Sequence, residues 1–234
     1  MKKVLFYCFI CISFFSCKTL KPIDFAISNT PHNLLPTLEI EVNMSNLLNR
    51  IYDGSIDSTA KIKYTTLTNS VIERYNGLEI EYRPEQRVYD ILSLYNKQVK
   101  HNIIDTTGFP QGSVRLDLLY FNEKRDVSMA ALNSWSLGIF NLFGVPFTSY
   151  KTKIETQVAI YDRDGFEIKK YRGTGEGFVY IAMYWGYGRD AYRKSALDAF
   201  KNSMKQIEKQ IVNDNKELKL TINSIKSKRP MFIH

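Results

Sequence analysis

Cysteine is nearly absent from this chain of 234 residues. There are three, Cys8, Cys11 and Cys17, and none follows residue 17. A disulfide framework, a zinc ribbon and a cysteine nucleophile are therefore excluded from everything downstream. Histidine is as scarce. His32, His101 and His234 lie too far apart for the spacing of metal ligands. Acidic residues are outnumbered, 24 against 32 Lys and Arg, for a net charge of +8. No G-x-S-x-G, EF-hand loop or nucleic-acid-binding motif occurs. The expectation is no enzyme, no cofactor, no metal and no nucleic-acid partner. What is present is an ordinary globular composition, 44% hydrophobic and 24% charged with a mean hydropathy of −0.27. That argues against disorder and against a polytopic membrane protein.

The first residues read as an address. Lys2 and Lys3 precede Val4–Phe15, a charge-free run of 12 residues. A bilayer-spanning helix needs roughly 20, so this run has the length of a signal-peptide core. Phe14-Phe15-Ser16-Cys17 follows, a small residue directly before a cysteine. This resembles the lipobox of bacterial lipoproteins. The resemblance implies that the Cys17 thiol receives a diacylglycerol and that cleavage leaves Cys17 as the acylated N-terminus. The expected organisation is a signal peptide over 1–16, a lipidated N-terminus and tether over 17–36, and a single globular domain over 37–234. Cleavage removes Cys8 and Cys11 with two Lys, which leaves 30 basic and 24 acidic side chains and a net +6. Residues 18–36 hold three Pro and little periodicity, as a stand-off tether does. No acidic run follows Cys17. Such runs resemble surface-export signals, and the lack of one favours a periplasm-facing protein.

Periodicity outlines the domain. Leu38, Ile40, Val42 and Met44 alternate with polar residues as a half-buried strand. Ser45 is placed to cap a short helix over 46–52. Residues 60–65 alternate weakly, 67–75 suggest one or two helical turns, and 78–82 alternate again. Val88, Ile91, Leu92, Tyr95 and Val99 predict a helix over 85–100. Strands are predicted over 113–121 and 154–161, which should pair. A three-residue loop with Gly165 left-handed would then set Ile160 opposite Ile168. An apolar strand follows over 177–185. Residues 190–213 carry Tyr192, Ala196, Phe200, Ile207 and Ile211 on one face, with Arg193, Lys201, Lys205, Glu208 and Lys209 on the other. That is an amphipathic helix. Leu218, Leu220 and Ile222 suggest a closing strand. No strict strand–helix alternation appears. The expected fold is α+β, an antiparallel sheet with helices packed on one face and a long C-terminal amphipathic helix.

One stretch stands apart. Residues 127–147, VSMAALNSWSLGIFNLFGVPF, carry no charge over 21 residues. The length suffices for a membrane span, but Asn, Ser, Gly and Pro interrupt it. The expectation is an excursion from the domain, either buried or exposed as a contact for lipid or a protein partner. Its candidate contact residues are Trp135, Leu137, Ile139, Phe140, Leu142 and Phe143. The Gly173-Thr174-Gly175-Glu176-Gly177 run precedes a strand rather than a helix, so bulges or a turn are expected rather than a phosphate cradle. Asp162, Asp164 and Glu167 suit a hairpin turn. Phe178, Tyr180, Tyr184, Trp185, Tyr187 and Tyr192 form an aromatic group suited to core packing or to glycan stacking.

The order strand, apolar loop, strand, Asp162–Gly165 turn, strand, amphipathic helix with Ala191, Ala196 and Ala199 resembles small Gram-negative envelope lipoproteins. The curli-secretion and penicillin-binding-protein-activator lipoproteins are such proteins. The resemblance covers about 113–225 and carries no catalytic residues with it. It implies a lipid-anchored protein of the outer membrane, facing the periplasm, that acts by binding as an accessory or assembly subunit. The expected partners are the membrane, through its lipid, and an envelope protein, with self-association left open. The alternative is a glycan- or ligand-binding lipoprotein.

Overall fold

The computed structural model describes residues 19–27, 35–51, 61–65, 70–75, 78–82, 86–127, 134–136, 139–182 and 186–227. The first regular strand, β1 (Glu39–Val42), runs straight into α1 (Met44–Ile51). Asn43, not Ser45, caps that helix. Its Oδ1 accepts from the Asn46 backbone N–H at 3.2 Å and from the Ser45 hydroxyl at 3.1 Å. Three short strands follow, β2 (Lys61–Thr65), β3 (Ser70–Tyr75) and β4 (Leu78–Tyr82), then α2 (Gln86–Asn102). The long strands β5 (Gly112–Asp126), β6 (Thr148–Asp162) and β7 (Glu167–Ile181) come next, with one helical turn, α3 (Ile139–Leu142), between β5 and β6. The chain closes with α4 (Ala191–Ser227), 37 residues long.

The main sheet has the order β1-β5-β6-β7. The fold is α+β, with α4 packed on the sheet. The sheet is mixed rather than antiparallel throughout. β1 pairs parallel with β5, Glu39 against Ser113 and Val42 against Leu116. Parallel neighbours need a long crossover, and here β2, β3, β4 and both helices lie between them in sequence. β5–β6 and β6–β7 are antiparallel, so the expected pairing of 113–121 with 154–161 is present.

Further expectations about elements and register need correction. Residues 70–75 form a strand, not helical turns, paired with β2 and β4. Tyr75 pairs with Leu78, so Asn76-Gly77 alone joins the two strands, and that dipeptide is a strong hairpin signal. The closing strand at 218–222 does not exist, because α4 continues through it. Leu218 and Ile222 are buried while Leu220 is 72% exposed. A spacing of four satisfies both two alternations and one helical turn, and the exposure of Leu220 separates them. At the β6–β7 hairpin, Ile160 faces Lys169 rather than Ile168, because the register shifts between Ile160 and Tyr161. Gly165 is left-handed there as expected, with φ 83°. The Asp162 carboxylate closes the turn by accepting from the N–H groups of Asp164 and Phe166 at 2.9 and 2.8 Å.

The core lies between the sheet and the helices. Leu116, Leu118, Ile154, Val158 and Ile160 meet Leu197, Phe200, Met204 and Ile207 of α4 and Ile91, Leu94, Tyr95 and Val99 of α2. The buried Tyr95 hydroxyl donates to the Val114 carbonyl at 3.1 Å, so its polar end is satisfied. Phe200 is fully buried, and truncating such a side chain to Ala costs about 3–5 kcal/mol. The opposite sheet face carries Lys151, Lys153, Arg172 and Glu176. The glycine run in β7 is neither a bulge nor a turn. It is unbroken strand, with Gly173, Gly175 and Gly177 paired to Thr156, Ile154 and Thr152.

Candidate functional site

The chain ahead of β1 is not a free tether along its first described part. Pro22–Phe25 forms a 3-10 turn, for which Pro in the first turn is suited. Asp24 holds it to the domain. Its carboxylate accepts from the Lys21 N–H at 2.9 Å and the Tyr187 hydroxyl at 3.0 Å, and pairs with Lys194 at 3.3 Å. Lys201 donates to the Asp24 carbonyl, and Lys97 to that of Phe25 at 3.3 Å. The Leu20 N–H donates to Asp190 at 3.2 Å. Burial pushes the Asp24 carboxyl up, but these hydrogen bonds outweigh it and hold it below the ordinary carboxylate range. Lys201, expected on the polar face of the long helix, is not fully open to solvent there. It is half-buried beneath this strap, and burial, aided by the Lys194 charge, lowers its pKa. Residues 28–34 of the expected tether lie outside the described residues.

The start of α4 is tied down by charge. Arg193 reaches the buried Asp90 of α2 through Nε at 2.8 Å and Nη2 at 3.0 Å, and Asp190 through Nη1 at 2.9 Å. Arg87 at the start of α2 pairs with Glu123 of β5 at 3.0 Å and lies over the Tyr192 ring at 5.2 Å. Tyr192 packs against Tyr150 of β6 with ring centroids 6.4 Å apart, and Arg125 of β5 covers Tyr150 at 5.9 Å. The end of β5 and the starts of β6, α2 and α4 thus meet in one region.

The apolar excursion leaves and returns at that end. Asp126, the last residue of β5, pairs with Ser149 of β6, and the Thr148 hydroxyl donates to the Asp126 carbonyl at 2.8 Å. The Phe147 N–H donates to Ile181 at the end of β7 at 3.0 Å. Four of its described apolar side chains are exposed. Trp135 is 84% exposed, Phe143 80%, Ile139 52% and Phe140 39%. Leu137 and the Leu142 side chain lie outside the described residues. Of the two readings of the excursion, the described residues therefore show an exposed one. Among them, no helix is long and apolar enough to cross a membrane.

The remaining candidates disperse. Phe178 and Tyr180 sit edge to face on the outer side of β7, centroids 4.6 Å apart, both partly exposed. Tyr187 binds the strap, Tyr192 stacks in the charged end, and Tyr184 and Trp185 lie outside the described residues. His101 is exposed at the end of α2, while His32 and His234 are not described. Cys17 is likewise outside the described residues. Among the described residues, no three His, Cys, Asp or Glu side chains converge as metal ligands do. A groove of about 540 Å³ runs beside α4, lined by Ile27, Gln98, Lys201, Lys205 and Glu208 among others. The strap is the feature that sequence reasoning missed. Its signal was a Pro-Ile-Asp-Phe turn with hydrophobic residues on both sides of the acid, inside a stretch read only for its prolines. No protein-family model matches the chain, and a search of curated proteins finds no relative.

Proposed function

We propose that this is a lipid-anchored protein of the bacterial outer membrane, facing the periplasm and held through Cys17. It acts by binding an envelope protein, as an accessory or assembly subunit. The observation that carries the reading is the succession at the N-terminus: a charged start, a short apolar run, Ser16-Cys17, and a strap fixed to the domain from Leu20 onward. A chain that is cut and acylated at Cys17 would place its lipid three residues from that first fixed point. Mass spectrometry of the mature N-terminus tests this. A diacylglyceryl Cys17, and release of Cys17→Ser from membranes, support it. A mature chain that starts elsewhere without lipid sinks it. Cross-linking in intact membranes tests the second half, with a specific envelope protein expected to co-purify.

The glycan reading rests on a separate observation, the partly exposed Phe178–Tyr180 pair. Sugars stack on exposed ring faces. A Phe178→Ala variant that loses a co-purifying polysaccharide would favour it over a protein partner.

A further inference from the structure

Leu20, the first fixed point of the strap, and the two ends of the apolar excursion belong to the same end of the sheet. Ile181 is the hinge of that relation. At the end of β7 its carbonyl accepts the Phe147 N–H where the excursion closes, and it bridges antiparallel to Gly186. A 3-10 turn, Gly188–Asp190, follows, and Asp190 takes the Leu20 N–H. Cys17 precedes Leu20 by three residues, which reach at most about 11 Å when extended. A lipid on Cys17 therefore brings this end of the sheet, and no other, to the bilayer.

What faces outward there suits that place. Trp135, Ile139, Phe140 and Phe143 are exposed on a segment without a charged residue. Trp is enriched at the membrane–water boundary, and Trp, Phe and Leu line the buried face of interfacial helices. Lys124 and Arg125 are exposed beside it at the end of β5, with Asp126 also there and Glu123 paired to Arg87. Basic side chains next to an anionic surface are drawn to it. The excursion cannot cross the bilayer, because its ends meet at the Asp126–Ser149 pair.

We propose that the excursion is a second membrane contact, resting its Trp135, Ile139, Phe140 and Phe143 side chains in the interface of the leaflet that holds the Cys17 lipid. The inference rests on the proposed anchor, which sets the distance. Two attachments on one edge fix the domain's orientation on the membrane, which a single flexible anchor does not.

The chain has two tryptophans, so Trp185→Phe leaves Trp135 as the sole reporter. The acylated full-length protein carrying this change is reconstituted into vesicles of phosphatidylethanolamine and phosphatidylglycerol. The expected result is a blue-shifted Trp135 emission, quenched by lipids brominated near the headgroup end of the acyl chain and shielded from iodide. Phe143→Cys gives a second readout independent of Trp185. A nitroxide there should be reached by oxygen in preference to a water-soluble nickel complex. If acylated protein sits on the vesicles with Trp135 open to iodide, the membrane contact is overturned and the anchor stands. A blue shift that depends on protein concentration without vesicles overturns it in favour of a protein contact. If the natural protein proves unacylated, quenching on mixing with vesicles keeps the contact without the anchor, and no quenching removes both.

Discussion

Gly175 of β7 lies so close to the Ala199 carbonyl of α4 that a Cβ on the glycine would stand 1.9 Å from that oxygen. Gly173 and Gly177 stand likewise against the carbonyls of Ser203 and Ser195, at 2.2 and 1.9 Å. The period of two on the strand meets a period of four on the helix, about 6.6 Å against about 6.0 Å. Gly175→Ala should therefore destabilise by about 1–3 kcal/mol or more, because the obstacle is backbone and cannot turn aside. Urea unfolding of this variant beside Gly165→Ala tests the cause. The second glycine has open space and only a strained φ, so its loss should be smaller, about 1–2 kcal/mol.

Arg193 and Asp90 should behave as a coupled pair. Asp90 is 5% exposed, and burial pushes its carboxyl up even against the hydrogen bonds from Arg193. Arg193→Ala leaves that carboxyl without its partner and should cost about 3–5 kcal/mol. Adding Asp90→Leu should recover part of the loss. A double-mutant cycle by thermal unfolding reads the coupling, and strict additivity would contradict it.

The free edge of β7 is guarded by amides. Asn202, Gln206 and Gln210 of α4 donate to the carbonyls of Glu176, Thr174 and Arg172 at 2.9, 2.7 and 2.7 Å. Gln206 also accepts the Thr174 N–H at 3.1 Å. Exposed strand edges recruit other strands. Replacing all three amides with Ala should leave the far-UV circular dichroism unchanged but raise concentration-dependent association in light scattering. A triple variant that stays monodisperse would show that α4 covers the edge without them.

The strap should open with acid. The Asp24 carboxyl is held below its ordinary value, so its contribution is present above about pH 3.9 and is lost as pH falls through the lower, folded-state value. Protease cleavage within 19–27 should rise over that acidic window, read with pepsin. Asp24→Asn should make the strap cleavable at neutral pH with the domain still folded. A strap equally protected in both forms would remove Asp24 as its clasp.

Legibility followed the strength of the local pattern. The paired strands β5 and β6 and the helix through Phe200 and Ile207 were readable because one face is buried and the other wet. The parallel placement of β1 was not, because alternation of Leu38, Ile40 and Val42 is the same in either direction. The strap escaped because Asp24 is held by Tyr187, Lys194 and Lys201, residues far away in sequence. The exposure of Trp135 and Phe143 was an open question for the same reason, since hydropathy does not say which side of a chain faces out.

The length of the strands sets a height. β7 has 15 residues, about 50 Å end to end. At its other end lie Phe166 and Phe109, 70% and 87% exposed, with Arg163 of the hairpin turn donating to the Pro110 carbonyl at 3.2 Å. Were one end of the sheet held at the membrane by the proposed Cys17 lipid, that far tip would become a ruler mark. A partner meeting Phe109 and Phe166 would be met at a fixed altitude above the membrane, and shortening the strands by two residues on each side would lower it by about 7 Å.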